Sequence, residues 1–145
     1  MILLLSALEL IENIIIIMKN LIIDAASDKI FFTYIVDRNI YTCTHENSKI
    51  NFEKLIVLIY YFLKKNKSSL NEIKAIYVNR GPGSFAGIRN SLSTIKGLYL
   101  TKKIDYYCFS FLDFDESNEI KYQDVPFLCD KFKIKKNLIN PIYLS

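Results

Sequence analysis

A tight turn between an apolar run and a helix constrains this fold more than any other feature of the sequence. The apolar run at residues 73–78 is typical of a buried strand, and a helical pattern covers residues 85–100, directly after the turn at 79–84. Another apolar run at residues 104–109 predicts a further strand. A strand, a helix and a strand in this order indicate a crossover unit and therefore an α/β fold class.

The turn reads Asn-Arg-Gly-Pro-Gly-Ser. Its glycines can adopt positive φ, its proline rigidifies the chain, and Ser84 can cap the following helix. Such a turn directs backbone N–H groups and a positive helix end outward, which is the geometry that holds phosphates. The turn is neither a P-loop nor a GxGxxG fingerprint, so we expect a structural turn, with anion binding as the alternative. The candidate anion site comprises Asp24, Gly81, Pro82, Gly83, Ser84 and Arg89.

Three strands are predicted before this unit. Residues 21–25 suit a buried strand with Asp24 near its carboxyl end, residues 30–36 a second strand, and residues 40–44 a third. The turn composition at 37–39 joins the last two as a hairpin. The order therefore predicts a mixed sheet with helices packed against it.

A helix is predicted from residue 52 to 65, with Asn51 as its cap. Residues 55–63 of this helix are all apolar or aromatic, whereas a helix that packs on one sheet should show a polar stripe. Its second face therefore needs a cover, which is either a neighbouring helix of this chain or a partner protein. The partner alternative predicts an interface that includes Leu55, Ile59 and Phe62.

Small residues recur along the helix at 85–100. Gly87, Ser91 and Thr94 follow helical spacing, which lets another element approach closely. Packing within the chain and packing on a partner explain this stripe equally well. We add the three residues to the predicted partner interface.

Composition excludes several protein classes. The 145 residues suit one domain, and 51% hydrophobic against 23% charged residues indicates a globular chain. The net charge of +4 comes from dispersed lysines, which are typical of a solvated surface. The cysteines show no CxxC spacing and His45 is the one histidine, so neither a disulfide framework nor a metal site is predicted.

The first 17 residues are apolar, yet Glu9 and Glu12 interrupt them and no basic residue precedes them. They therefore match neither a signal peptide nor a membrane span. We expect an N-terminal extension at residues 1–17 or a true start at Met18.

Residues 80–89 read RGPGSFAGIR, and Lys-Gly-Leu follows at 96–98. This segment resembles the RGPGSFTGIR…KGL signature of the TsaB (YeaZ-like) family. Residues 21–26 resemble the opening strand of that family, and residues 140–144 its closing PxYLR. Ala25, Ala26 and Ala86 depart from the family pattern because hydroxyl residues are usual there.

The resemblance implies an actin-like, ribonuclease-H-like fold, with an N-terminal domain at residues 18–110. It implies that residues 111–145 are a truncated remnant of the family's second domain, because the segment is short. It also implies a non-catalytic, cytoplasmic subunit that supports a TsaD-like transferase, together with a TsaE-like ATPase, in tRNA threonylcarbamoyladenosine modification.

We expect no catalytic residue, cofactor or metal in this chain, since ATP and Mg would belong to the complex, and we expect only indirect contact with tRNA and none with a membrane. The same resemblance leaves a homodimer open. Two alternatives from other classes are a metal- and phosphate-dependent enzyme of the same fold, with Asp24 on the metal, and a free-standing homodimeric binding module.

Overall fold

Five strands form one mixed sheet at the centre of the chain. The computed structural model describes residues 6–7, 18–115 and 119–143. The sheet has the order β3-β2-β1-β4-β5; β1 pairs antiparallel with β2 and parallel with β4. The predicted α/β class with a mixed sheet is therefore confirmed. The strands are β1 (Lys19–Asp24), β2 (Lys29–Val36), β3 (Asn39–Glu46), β4 (Ala75–Asn79) and β5 (Asp105–Phe109).

The hairpin between β2 and β3 is closed by a turn of two residues. Val36 lies opposite Asn39, and Asp37 between them has a φ of 55°, a left-handed value that aspartate tolerates better than most residues. The predicted turn at 37–39 is therefore confirmed, although Asn39 already belongs to β3.

Three helices cover one face of the sheet: α1 (Lys49–Glu53), α2 (Leu55–Lys65) and α3 (Phe85–Lys102). The prediction of one helix capped by Asn51 is wrong. Ser48 is the cap, because its Oγ accepts a hydrogen bond from the Asn51 N–H at 3.2 Å. Lys54 has a non-helical φ of −121° and separates the two helices.

The core between these helices and the sheet is apolar. Ile23 of β1 packs there with Ile59 of α2 and with Ile88 and Ile95 of α3, and all four are buried. Burial of each such side chain contributes roughly 1.5–3 kcal/mol relative to exposure. This core fixes the carboxyl end of β1 next to the start of α3.

Residues after β5 cover the opposite face of the sheet. Helix α4 (Val125–Lys131) places Val125 and Leu128 against Ile22 and Phe109 in a second buried cluster. A single antiparallel bridge joins Tyr107 to Lys136 at the β5 edge. The sheet therefore lies between two layers, and among the described residues the second layer is formed by ones beyond the predicted boundary at 110.

The predicted N-terminal extension at residues 1–17 lies outside the described residues except for 6 and 7. Within the described ranges, no helix is both long enough and apolar enough to cross a membrane.

Candidate functional site

The turn between β4 and α3 has the predicted cap, and one of the two glycines that can adopt positive φ does so. Ser84 Oγ accepts a hydrogen bond from the Gly87 N–H at 3.1 Å, so the predicted cap is confirmed. Gly81 has a φ of +109°, whereas Gly83 does not have a positive φ. Glycine is required at position 83 because a Cβ atom there would lie 2.1 Å from the carbonyl oxygen of Ala26.

Several N–H groups of the turn already donate within the chain. Gly81 N–H donates to Asn79 Oδ1 at 2.9 Å, and Ser84 N–H donates to the Ala26 carbonyl at 2.8 Å. Pro82 has no N–H to offer. These hydrogen bonds favour the structural role of the turn, because they leave few donors for a phosphate.

Arg80 ties the turn to residues near the end of the described chain. Its Nη2 lies 2.6 Å from Asp113 Oδ1 and its Nη1 donates to the Asn140 carbonyl at 3.0 Å. In return, the Ile142 N–H donates to the Arg80 carbonyl at 2.7 Å. Sequence reasoning missed Asp113 as the partner, although the Ser110-x-x-Asp113 spacing is that of a capping box, which the structure contains.

Arg89 of the predicted anion site lies exposed on α3. It lines a shallow groove together with Lys96 of the same helix and with Pro141 and Tyr143. The structure therefore places Arg89 between α3 and the chain end rather than on the turn itself.

Asp24 is fully buried at the carboxyl end of β1, and both oxygens of its carboxylate accept hydrogen bonds from groups of the same chain. Oδ1 accepts from the Ala26 N–H at 2.9 Å, and Oδ2 accepts from the hydroxyls of Ser27 at 3.2 Å and Tyr122 at 2.6 Å. Burial and the neighbouring carboxylate raise the pKa of the Tyr122 phenol well above its usual range. The carboxylate therefore has three internal donors, and the tyrosine remains protonated.

Tyr122 comes from the segment that covers the second sheet face, 98 positions after Asp24. Its ring also packs on Phe31 at 5.6 Å and on Phe111 at 6.0 Å. No sequence motif marks Tyr122, because only the tertiary fold brings it to β1. Within the described residues, no group of three or more His, Cys, Asp or Glu side chains could hold a metal ion.

The prediction that a partner covers the proposed interface residues is wrong for most of them, because they are buried within the chain itself. Leu55, Ile59 and Phe62 are buried in the chain's own core, because this side of α2 faces the sheet. Gly87 and Ser91 are also buried: a Cβ atom at Gly87 would lie 1.8 Å from the Ala25 carbonyl oxygen. The small side chain at position 87 therefore admits the chain's own β1 end rather than a partner helix.

Thr94 is only partly buried, and its hydroxyl donates to the Asn90 carbonyl one turn earlier. No described contact assigns it to an interface, so its place there stays a prediction.

An apolar face of α2 nevertheless remains open to solvent. Ile56, Val57, Tyr60 and Tyr61 are 40%, 44%, 49% and 61% exposed. The four residues recur at i, i+1, i+4 and i+5, so they form one continuous strip on the helix. We call this strip the α2 face. The sequence indicated an uncovered second face correctly but assigned the wrong residues to it.

Comparisons with known proteins match parts of the chain. The family model of TsaD, tRNA N6-adenosine threonylcarbamoyltransferase, matches residues 46–114. The tRNA threonylcarbamoyladenosine biosynthesis protein TsaB of Buchnera aphidicola subsp. Baizongia pistaciae (strain Bp) is 42% identical over 65 residues. That match covers 39% of this chain and 29% of the relative.

Solved structures share the fold. YeaZ from Pseudomonas aeruginosa has a TM-score of 0.59 at 18% identity, over 64% of this chain and 44% of that chain. A second Pseudomonas aeruginosa structure, an uncharacterized protein with similarity to peptidase YEAZ, has the same TM-score. The match covers 64% of this chain and 43% of the second structure's chain. This chain therefore spans less than half the length of these relatives. Over that shared part, the chain is similar in sequence to the TsaB relative and has the fold of the YeaZ structures.

Proposed function

We propose that this chain is a non-catalytic subunit of the machinery that makes threonylcarbamoyladenosine in tRNA, and that it supports a TsaD-like transferase. The curated relative carries this biosynthetic role in its name, and the TsaD family model matches residues 46–114, which include α1, α2 and α3. ATP and Mg would then be used elsewhere in the complex, including a TsaE-like ATPase. The chain would work in the cytoplasm and meet tRNA indirectly.

The exposed α2 face is the observation that carries the assembly role. Water-exposed apolar side chains in one continuous strip are unfavourable on an isolated protein and are typical of interaction surfaces. Two tyrosines contribute to the strip, and aromatic residues of this kind are enriched at interface centres. A partner helix that buries this strip would replace its water contacts with apolar ones.

The non-catalytic part of the proposal is supported by Asp24. A metal- or phosphate-dependent enzyme of this fold would need that carboxylate free to bind a metal. Here the carboxylate is buried and accepts hydrogen bonds from three groups of the same chain. Exposing it would cost those bonds, at roughly 1.5–3 kcal/mol for each bond to a charged group.

The experiment uses Tyr61→Glu, which places a charge in the α2 face at a position that is 61% exposed. Folding should survive because the side chain points into solvent. Affinity for a TsaD-like partner should fall at least about tenfold, which corresponds to about 1.4 kcal/mol. The measurement is a titration of the partner followed by a modification assay with the reconstituted complex.

Leu112→Glu is the matched control, because Leu112 is a large apolar residue that is 76% exposed and lies away from α2. It should bind the partner as the wild type does. Equal binding by Tyr61→Glu and wild type would refute the α2 face as the docking surface. Modification of tRNA by the chain without a partner would refute the non-catalytic role, and a stable dimer that ignores the partner would favour the free-standing binding module.

A further inference from the structure

A cavity of about 550 Å³ lies on the second face of the sheet, under α4. It is bounded by the amino end of β1, by β4 and β5, and by the residues that follow α4. Its volume falls within the range of sites for small molecules, which is roughly 300–1,000 Å³. Asp24 and the turn at 79–84 do not line this cavity.

Two stacked tyrosines form the aromatic part of the lining. The rings of Tyr77 and Tyr107 lie 5.0 Å apart with an angle of 9° between their planes. The two residues are direct partners in neighbouring parallel strands, so the backbone register holds the stack in place. A planar ring suits the end of such a stack, because it extends the offset-stacked arrangement, and stacking of a base on an aromatic side chain contributes about 1–3 kcal/mol.

An unpaired acceptor lies in the same cavity. The Oδ1 atom of Asn20 is buried and has no hydrogen-bond partner among the described residues. Leaving a buried polar atom without a partner costs roughly 1–3 kcal/mol. A ligand with an N–H group would remove that cost, as would an ordered water molecule.

The rim carries positive charge. Lys133 and Lys136 line the cavity; Lys136 lies 3.6 Å from Asp105, whereas Lys133 has no ion-pair partner within the described part of the chain. Asp130 also lines the rim, so the charges present are two cationic and one anionic. The unpaired Lys133 favours an anionic group on the ligand, because an ammonium group binds phosphate as a point charge.

We propose that this cavity binds a nucleotide. Its base lies against the Tyr77–Tyr107 stack and donates an N–H to Asn20 Oδ1, and its phosphate lies beside Lys133. This chemistry is shared by a free mononucleotide and by a base of single-stranded RNA. The proposal does not depend on the assembly role, because the cavity and the α2 face lie on opposite faces of the sheet.

The test is isothermal titration of the full chain with AMP, adenosine, ribose 5-phosphate and a short single-stranded oligoadenylate. AMP should bind at least about tenfold more tightly than adenosine or ribose 5-phosphate, because each of these lacks one of the two recognised groups. An oligoadenylate that binds more tightly than AMP identifies RNA as the source of the base, and equal or weaker binding identifies a free nucleotide.

Two variants and one control variant test the location. Lys133→Glu should weaken AMP binding at least about tenfold, whereas Lys96→Glu, on α3 across the sheet, should leave it unchanged. Asn20→Leu should abolish binding while the melting temperature stays equal or rises, since the unpaired acceptor is removed.

Absence of binding by both AMP and the oligoadenylate would overturn the proposal and leave water as the partner of Asn20. Binding that survives Lys133→Glu would place the nucleotide elsewhere and overturn it as well. Because Lys133 is on the rim, this second outcome can be read even if Asn20→Leu fails to fold.

Discussion

Alanine substitutions at two glycines of α3 should change the free energy of unfolding in opposite directions. Gly87 and Gly97 both lie inside the helix, where alanine is intrinsically favoured over glycine by about 1 kcal/mol. A Cβ atom at Gly97 would meet no atom within 4 Å. Gly97→Ala should therefore raise the free energy of unfolding by about 0.5–1 kcal/mol, which corresponds to a melting temperature about 1–4 °C higher.

Gly87→Ala should instead destabilise the fold. The new Cβ atom would lie 1.8 Å from the Ala25 carbonyl oxygen and 2.8 Å from its carbon, well inside the roughly 3.3–3.6 Å at which carbon and carbonyl oxygen meet. Both contacts are with backbone, so α3 must move away from β1. Overpacking of this kind costs about 1–3 kcal/mol or more, which exceeds the gain in helix propensity.

The assay is thermal and urea denaturation of both variants beside the wild type, followed by circular dichroism. We expect Gly87→Ala to lower the melting temperature by about 4–8 °C if its net cost is about 2 kcal/mol. An unchanged urea m-value would show that the change is in stability rather than in the denatured state. Gly87→Ala that melts at or above the wild type would refute the close approach of α3 to the end of β1.

Three further predictions concern contacts that the segment after β5 makes with the rest of the chain. Tyr122→Phe keeps the ring but removes the hydrogen bond to the buried Asp24, so unfolding free energy should fall by about 1.5–3 kcal/mol, with Tyr61→Phe on the exposed α2 face as an unaffected control. Because the pKa of Tyr122 is raised in the folded state, its contribution to the free energy of unfolding should be complete below about pH 10 and be lost at higher pH. The melting temperature of Tyr122→Phe should therefore fall less steeply at alkaline pH than that of the wild type. Equal pH profiles of the two melting temperatures would contradict this. In Arg80→Lys, the ammonium group cannot replace the guanidinium group that binds both Asp113 and the Asn140 carbonyl. Hydrogen exchange at the Ile142 amide should therefore accelerate about tenfold or more. Unchanged protection of that amide would contradict the role of Arg80 in holding this segment.

Much of the fold could be predicted from local pattern. The apolar runs, the hairpin turn and the Ser84 cap are consequences of neighbouring residues, and they were confirmed with boundaries that differ by a few residues. The break at Lys54 was missed because glutamate and lysine are good helix formers, so that only the backbone conformation marks the interruption. The sequence showed only that Gly83 can adopt a positive φ, whereas its real constraint is a close approach to Ala26 that no local pattern records.

The candidate sites depended on contacts between distant parts of the chain. The sequence alone determined that the helix at 55–63 has too many apolar residues for one sheet, that an acid lies at the carboxyl end of the first strand, and that the turn at 79–84 starts a helix. The packing of α2 on the sheet decided which side of α2 faces outward, because it buries Ile59 and exposes Tyr61. Likewise, Tyr122 meets Asp24 because the hydrophobic packing of residues 111–114 and 120–134 on the second sheet face brings the two side chains together. Spacing in the sequence carries helix and strand periodicity, but which two distant side chains meet depends on how the layers pack.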